Sequence, residues 1–203
     1  MPFQLGQIVH GFVVSRELID IQHSHLAYIA DMDLNSQIGQ PIEVLLVAKS
    51  HTQWIVSCQA LIYSRSISRL LQLHQANLPI WATALQWLKH HGVKVEVEAM
   101  KILIPLAHAT PKPPDRFVVK LISVSPLRVS YTYALVEKWA NQTLILNVSE
   151  VTHHSIKGHI NGVPSVLVHW GSLCVEKGDH LAVQMVYFDV QQACIYVSLQ
   201  EQK

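Results

Sequence analysis

A similar arrangement of short apolar runs occurs three times along the 203-residue chain, and this repeat constrains the fold more than any single motif does. In each copy, an eight-residue segment precedes a loop, a strongly apolar run and a short run that ends at a serine or its neighbour. The eight-residue segments occupy 27–34, 102–109 and 165–172, the apolar runs 42–47, 117–122 and 181–186, and the serines are Ser57, Ser130 and Ser198. The copies are about 63–75 residues apart, so each one is a small domain.

The runs within each copy are short and rich in Val and Ile, which is typical of β-strands. Residues 7–14, 42–47 and 54–57 are examples from the first copy. Turn signals at Gly39-Gln40-Pro41 and Lys177-Gly178-Asp179 precede equivalent runs in the first and third copies. Five strands per copy is the content of a small closed barrel.

Two segments between the copies predict helices. Residues 60–75 contain no Gly or Pro, and Ile67, Leu70, Leu71 and His74 share one helical face. A shorter segment, 133–139, occupies the same place between the second and third copies. We therefore predict a mostly β fold of three tandem five-stranded barrels joined by short helices. The predicted boundaries are 1–62 for the first barrel, 63–77 for a connecting helix, 78–132 for the second barrel, 133–140 for a connecting helix and 141–203 for the third barrel.

Composition predicts a folded chain without a strongly basic character, because half of the residues are hydrophobic, 14% are charged and the net charge is +1. The basic residues are concentrated in the middle. Segment 78–136 has seven Lys and Arg against three Asp and Glu, and 63–77 has two against none. Segment 1–62 is acidic, with two Lys and Arg against five Asp and Glu. Segment 137–203 is also acidic, with four Lys and Arg against six Asp and Glu.

Targeting, metal and catalytic motifs are missing from the sequence. The first residues carry no basic and apolar leader and no segment has the roughly 18 apolar residues that cross a bilayer, so we expect a soluble, unprocessed protein. Three cysteines without short spacing predict neither a disulfide framework nor a zinc site. The sequence contains no Gly-rich phosphate loop, paired-carboxylate constellation or nucleophile elbow, and we expect a non-enzymatic protein without a cofactor.

Thirteen histidines include the pairs His90-His91 and His153-His154. Adjacent residues on a strand point to opposite faces, and no Cys or carboxylate completes a ligand set at a familiar spacing. We expect no metal site. Loop or surface histidines are the favoured interpretation, and contact with phosphates or bases is the alternative.

Three stretches resemble the ribosomal protein S-one family: residues 69–73, 98–108 and 118–138. The first resembles the family's interdomain helix. The second resembles its strand and "glycine, aromatic, Ile-Pro, small, Ser-His" run, with Ile102 and Leu103 in place of the glycine and the aromatic. The third is most similar to the three-barrel form of cyanobacteria and plastids.

The resemblance implies OB-fold barrels of the S-one RNA-binding type in a protein of translation. It implies binding of single-stranded RNA, including messenger RNA, by the second and third barrels, and attachment to small ribosomal subunit proteins through the first. Neither DNA nor a membrane is an expected partner. The implied location is the bacterial cytoplasm, or a plastid if the protein is organellar.

The family's stacking residues have changed in this sequence. The family places two aromatics at the start of the second strand and a histidine on the third, whereas the third copy has His154, Lys157 and Val168 at these positions, with His169 next to Val168. The matching loop is Lys89-His90-His91-Gly92 in the second copy and is shortened to Ser15-Arg16-Glu17 in the first. We expect weakened base stacking in every copy.

If RNA is bound, its phosphates are expected to be contacted by basic residues around the second copy. These residues are Arg65, Arg69, Lys89, Lys94, Lys101, Lys112, Arg116 and Lys120. Further predicted contacts are His90, His91, His154, Lys157, His169 and Trp170, and Trp170 is the preferred stacking residue. For Trp81, Trp87 and Trp139 we favour packing over stacking.

High apolar content, low charge and missing aromatics also fit a different class of protein. In this alternative, the chain is a diverged relative that does not bind RNA and serves as a structural or adaptor subunit of another assembly.

Overall fold

The structure is a computed structural model that describes residues 3–21, 25–29, 31, 34, 37–51, 53–168 and 174–200. The predicted RNA contacts His169 and Trp170 lie outside the described residues. The chain divides into two compact units, Met1–Arg69 and Leu70–Lys203. No helix in the described part of the chain is long and apolar enough to cross a membrane.

The first barrel consists of β1 (Ile8–Ser15), β2 (Leu18–Ile21), β3 (His25–Ile29), β4 (Pro41–Ser50) and β5 (Gln53–Ser57). It is closed in the order β1-β2-β3-β5-β4, with a parallel pair between β3 and β5. On β1, Val9 and Val13 are buried while Ile8, His10 and Phe12 are exposed, because successive side chains of a strand point to opposite faces. The inward set builds the core of this barrel.

Helix α1 (Cys58–Gln75) follows β5 directly and begins at Cys58 rather than at residue 63. The Ser57 hydroxyl accepts a hydrogen bond from the backbone N–H of Ala60 at 2.8 Å, which is the contact of a helix N-cap. Leu70 is fully buried on α1, whereas Leu71 is 44% exposed, so the buried stripe is narrower than predicted.

The second barrel consists of β6 (Ile80–Leu88), β7 (Gly92–Val97), β8 (Met100–Pro105), β9 (Arg116–Val124) and β10 (Leu127–Ser130). Its strands follow the same order as in the first barrel, but β8 and β10 form the two edges of the sheet.

Side chains connect these two edges through a 3₁₀ turn, Leu106–Ala109, that follows β8. His108 Nδ1 lies 2.9 Å from the hydroxyl of Ser130, the last residue of β10. Thr132 donates from its hydroxyl to the carbonyls of Ala107 and Thr110, at 3.0 and 2.7 Å. The barrel is therefore completed by side-chain hydrogen bonds where the first has a strand pair.

The third barrel consists of β11 (Thr143–Val151), β12 (Ile156–Ile160), β13 (Val163–Leu167), β14 (His180–Asp189) and β15 (Cys194–Leu199), closed in the order β11-β12-β13-β15-β14. Helix α2 (Tyr131–Trp139) precedes it and is capped by Ser130, which accepts from the Tyr133 N–H at 2.9 Å. Val136 of α2 belongs to the core of this barrel. The predicted fold class, a mostly β chain of three five-stranded barrels joined by short helices, is confirmed.

Candidate nucleic-acid interface

Basic side chains lie in two adjacent rows on the outer face of the second barrel. In one row, strand pairing places Arg116, Thr83, Glu96 and Lys101 side by side on β9, β6, β7 and β8. Neighbouring strands are about 4.8 Å apart, so Arg116 and Lys101 are separated by about 14 Å. Glu96, which is opposite Lys101 in the strand register, offsets part of the positive charge of this row.

The next row consists of Gln86, Lys94 and Leu103 on β6, β7 and β8. Lys94 is two residues from Glu96 on β7, so both side chains point outward. Leu103 is 48% exposed and occupies the place where the resembled family has an aromatic. We call these two rows together the basic face. Its basic residues are Lys94, Lys101 and Arg116.

The predicted residues Lys89, His90 and His91 lie together in the turn between β6 and β7, at one end of the basic face. All three are exposed. Gly92 follows this turn with φ of 126°, and a Cβ at this position would lie 1.9 Å from the Ile104 carbonyl oxygen. Only glycine fits there, because both the backbone conformation and the close approach exclude a side chain. Gly92 thus sets where the turn ends and β7 begins.

Two cations of the second barrel lie over tryptophan rings. The Arg116 guanidinium carbon is 5.0 Å from the centroid of Trp81, and Lys112 Nζ is 5.7 Å from that of Trp87. Both distances are within the range of cation–π attraction. Trp81 is 60% exposed, so it does not pack in the core, which was one form of the packing that we favoured for it. Alternation along β6 gave the signal for this exposure, since Trp81 lies between the inward residues Ile80 and Ala82.

Lys120 was predicted to contact phosphate, and this prediction is wrong. It is 4% exposed, and its Nζ donates to the Asn77 carbonyl at 2.7 Å and to Glu137 at 2.8 Å. Like Arg116, it points away from the barrel interior, but helix α2 covers this end of β9. A buried ammonium with these partners is not available to a ligand.

Arg65 and Arg69 lie on α1, outside the second barrel. Arg65 forms an ion pair with Glu43 at 2.5 Å, and Arg69 is exposed. In the third barrel, Lys157 is paired with Glu150 at 3.4 Å and His154 is exposed in the turn before β12. The structure thus gathers Lys94, Lys101 and Arg116 on one face, with the Lys89 turn at its end and Lys112 beside Trp87.

The outer face of the first barrel has a different character. Phe12, Val14 and Leu26 are 45%, 50% and 52% exposed, and Leu18 and Tyr28 are half-buried between them. We call these five residues the apolar face. Asp20 lies between Phe12 and Leu26 in the strand register, and its Oδ1 is buried without a hydrogen-bond partner among the described residues.

Among the described residues, no group of three or more His, Cys, Asp and Glu side chains could hold a metal ion. Burial and the nearby Arg128 lower the pKa of His108, so its imidazole is held neutral beside Ser130. Ser130 itself is fully buried and caps α2, and Ser57 caps α1. Ser57 and Ser130 therefore have a structural role as helix caps.

No family model matches the chain, and no curated protein matches its sequence. Among solved structures, the chain is similar to a multidomain protein with nucleic acid binding domains from Streptococcus pneumoniae TIGR4. The two are 13% identical, the alignment covers 98% of this chain and 75% of that chain, and the TM-score is 0.28. A similarity of this size carries no argument about function.

Proposed function

We propose that this protein binds single-stranded RNA through the basic face of its second barrel. The observation that carries the proposal is the placement of Lys94, Lys101 and Arg116 on one exposed outer face. Lysine and arginine on a sheet surface can follow a flexible phosphate backbone without reading its sequence. The two rows of this face contain one acidic residue, Glu96, against three basic ones, and the exposed Asp115 directly precedes Arg116.

The finer proposal is that the protein is a non-enzymatic component of translation, similar to ribosomal protein S-one, that holds messenger RNA on the small ribosomal subunit in a bacterial cytoplasm or a plastid. The sequence resemblance supports it. In this proposal the first barrel attaches to small-subunit proteins through the apolar face, because exposed apolar patches commonly mark protein contacts.

The test of RNA binding is the affinity of the full chain for a fluorescent single-stranded oligonucleotide at two salt concentrations. Each phosphate contact should contribute about −0.7 to the slope of log affinity against log salt. Three contacts from the basic face thus predict a slope of about −2. If the chain does not bind the oligonucleotide even at low salt, the proposal is wrong.

A second candidate function is favoured by the apolar face: a structural or adaptor subunit that contacts only proteins. Phe12, Val14 and Leu26 supply the contact area in this case. The two candidates differ in the oligonucleotide assay, since the adaptor predicts no binding and no salt dependence. They share the prediction that the first barrel docks on a protein.

A further inference from the structure

A cleft of about 220 Å³ opens beside the basic face, between strands β6 and β9 and helix α2. Its floor is formed by Phe117, Tyr131 and Ala134, and the Phe117 and Tyr131 rings meet edge to face with centroids 5.0 Å apart. Its rim carries Trp81, Arg116 and Lys138. We call this the Trp81 cleft.

The rim combines an exposed aromatic surface with positive charge. Trp81 is 60% exposed, and the Arg116 guanidinium lies 5.0 Å from its ring centroid. Of the lining side chains, Arg116 and Lys138 are cationic and none is acidic. Burial raises the pKa of Tyr131, so its hydroxyl remains a neutral hydrogen-bond donor at the floor.

Size limits what this cleft can hold. Sites for whole small molecules usually measure about 300–1,000 Å³ and enclose most of the ligand. At about 220 Å³, with an open rim, the cleft suits one flat ring, not a complete metabolite. A planar group that carries an adjacent negative charge matches both the tryptophan surface and the two cations.

Arg116 joins the cleft to the basic face. It lies in the outer row with Lys101 and also lines the cleft. A chain whose phosphates follow Lys101 and Arg116 would therefore bring its next unit to Trp81.

We propose that the Trp81 cleft holds one base of a single-stranded RNA, stacked on Trp81, with the flanking phosphates between Arg116 and Lys138. The inference rests on the proposed RNA binding and adds a stacking site at strands β6 and β9 and helix α2. Trp81 would provide, on β6, an aromatic surface in place of the one that the resembled family carries on the second and third strands of its barrel and that this chain has lost. A protein segment with acidic side chains is the competing occupant, and it would not require the aromatic ring.

The experiment compares binding of a 12-nucleotide oligouridylate with binding of inorganic polyphosphate of similar charge, both by competition against a labelled oligonucleotide. Trp81→Ala should weaken oligouridylate binding about tenfold, as base stacking on an aromatic commonly does, and leave polyphosphate binding unchanged. Trp81→Phe keeps a ring and should stay close to wild type. Lys138→Gln should remove one phosphate contact and so make the slope of log affinity against log salt less negative by about 0.7.

Leu85→Ala is the matched control, since Leu85 is 47% exposed on the same strand but does not line the cleft. Thermal unfolding of each variant checks that the barrel is intact. The inference is overturned if Trp81→Ala binds oligouridylate as wild type does, or if it loses polyphosphate equally. It is also overturned if uridine monophosphate binds as tightly as the oligomer, which would indicate a free-nucleotide site. If wild type binds neither polymer, RNA binding itself has failed.

Discussion

The first and second barrels share one strand order and one inward pattern, yet they differ in how they close and in what they expose. The first has a parallel pair between β3 and β5, whereas the second has His108 bonded to Ser130 and Thr132 bonded to the turn after β8. Outward, the first carries the apolar face and the second carries the basic face. The difference shows that inward positions determine the barrel while outward positions remain free to determine the partner.

Closure by side chains has a physical consequence for the second barrel. A ladder between two strands distributes its hydrogen bonds over several backbone groups that do not titrate. His108 and Ser130 form a single contact whose strength depends on the protonation of one imidazole. The second barrel should therefore respond to acidity through an imidazole, whereas the equivalent serine of the first barrel, Ser57, donates to the carboxylate of Asp31.

The largest effect is expected from reversing the charge of the basic face. The double variant Lys94→Glu and Lys101→Glu should weaken oligonucleotide binding about 100-fold at low salt, because two phosphate contacts are replaced by repulsion. The control is Lys49→Glu with Lys177→Glu, which makes the same net charge change at exposed positions of the other two barrels. Equal losses in both double variants would mean that net charge, not the basic face, governs binding.

The next effect concerns the glycine that positions β7 in the basic face. Gly92→Ala should lower the free energy of unfolding by about 1–3 kcal/mol, because alanine would adopt a strained φ and contact the Ile104 carbonyl. Gly178→Ala is the control: its φ is also positive, at 101°, but no atom lies within 4 Å of the added Cβ. Urea unfolding of the two variants measures the difference. If Gly92→Ala lowers the free energy of unfolding no more than Gly178→Ala does, the structure accommodates the added Cβ at Gly92 with little loss of stability.

A smaller effect is expected from the apolar face. Val14→Glu with Leu26→Lys should weaken co-sedimentation with small ribosomal subunits by about tenfold and leave oligonucleotide binding unchanged. Ile145→Lys with Val186→Glu changes equally exposed apolar residues of the third barrel and serves as the control. Unchanged co-sedimentation of the Val14 and Leu26 variant would show that the first barrel's apolar face is not the ribosomal contact.

The repeat, the predicted connecting helices and the family resemblance together predicted three barrels, because inward positions are constrained by burial in every copy. The serines marked real features as well, although their role as helix caps emerges only when Ser57 and Ser130 are seen to accept from Ala60 and Tyr133. The predicted start of α1 was too late in the sequence. Ser57 and the apolar first turn of the helix after it have the composition of a strand end, so they were assigned to the barrel.

The site was less predictable, because it depends on which outward positions are covered. Arg116 and Lys120 are both outward residues of β9 with the same charge, but α2 covers Lys120 and leaves Arg116 exposed. Nothing local to β9 signals this. Trp81 was misjudged for the opposite reason: tryptophans are usually buried, and its outward position on β6 is not covered.

The smallest effect tests the closure of the second barrel by pH. Burial, with a smaller contribution from Arg128, lowers the pKa of His108 in the folded chain below its ordinary value of 6.5. The unfolded chain therefore binds the proton more readily than the folded chain, and stability rises with pH between the two pKa values. The contribution of the neutral imidazole is complete above about pH 6.5 and is lost as the pH falls below it.

Hydrogen exchange of the β8 and β10 amides, corrected for intrinsic rates, measures local opening of these edges. Between about pH 7 and pH 5.5 the wild type should lose protection at these strands, while His108→Gln, which keeps a hydrogen-bonding side chain but cannot titrate, should lose less. The parallel pair β13 and β15 of the third barrel provides the internal control, since its titratable groups are Cys194 and Tyr196, whose pKa values are raised by burial and lie above this pH range. If β8 and β10 in wild type and His108→Gln respond equally to pH, the second barrel closes without help from His108, and its difference from the first barrel lies only in the outer face.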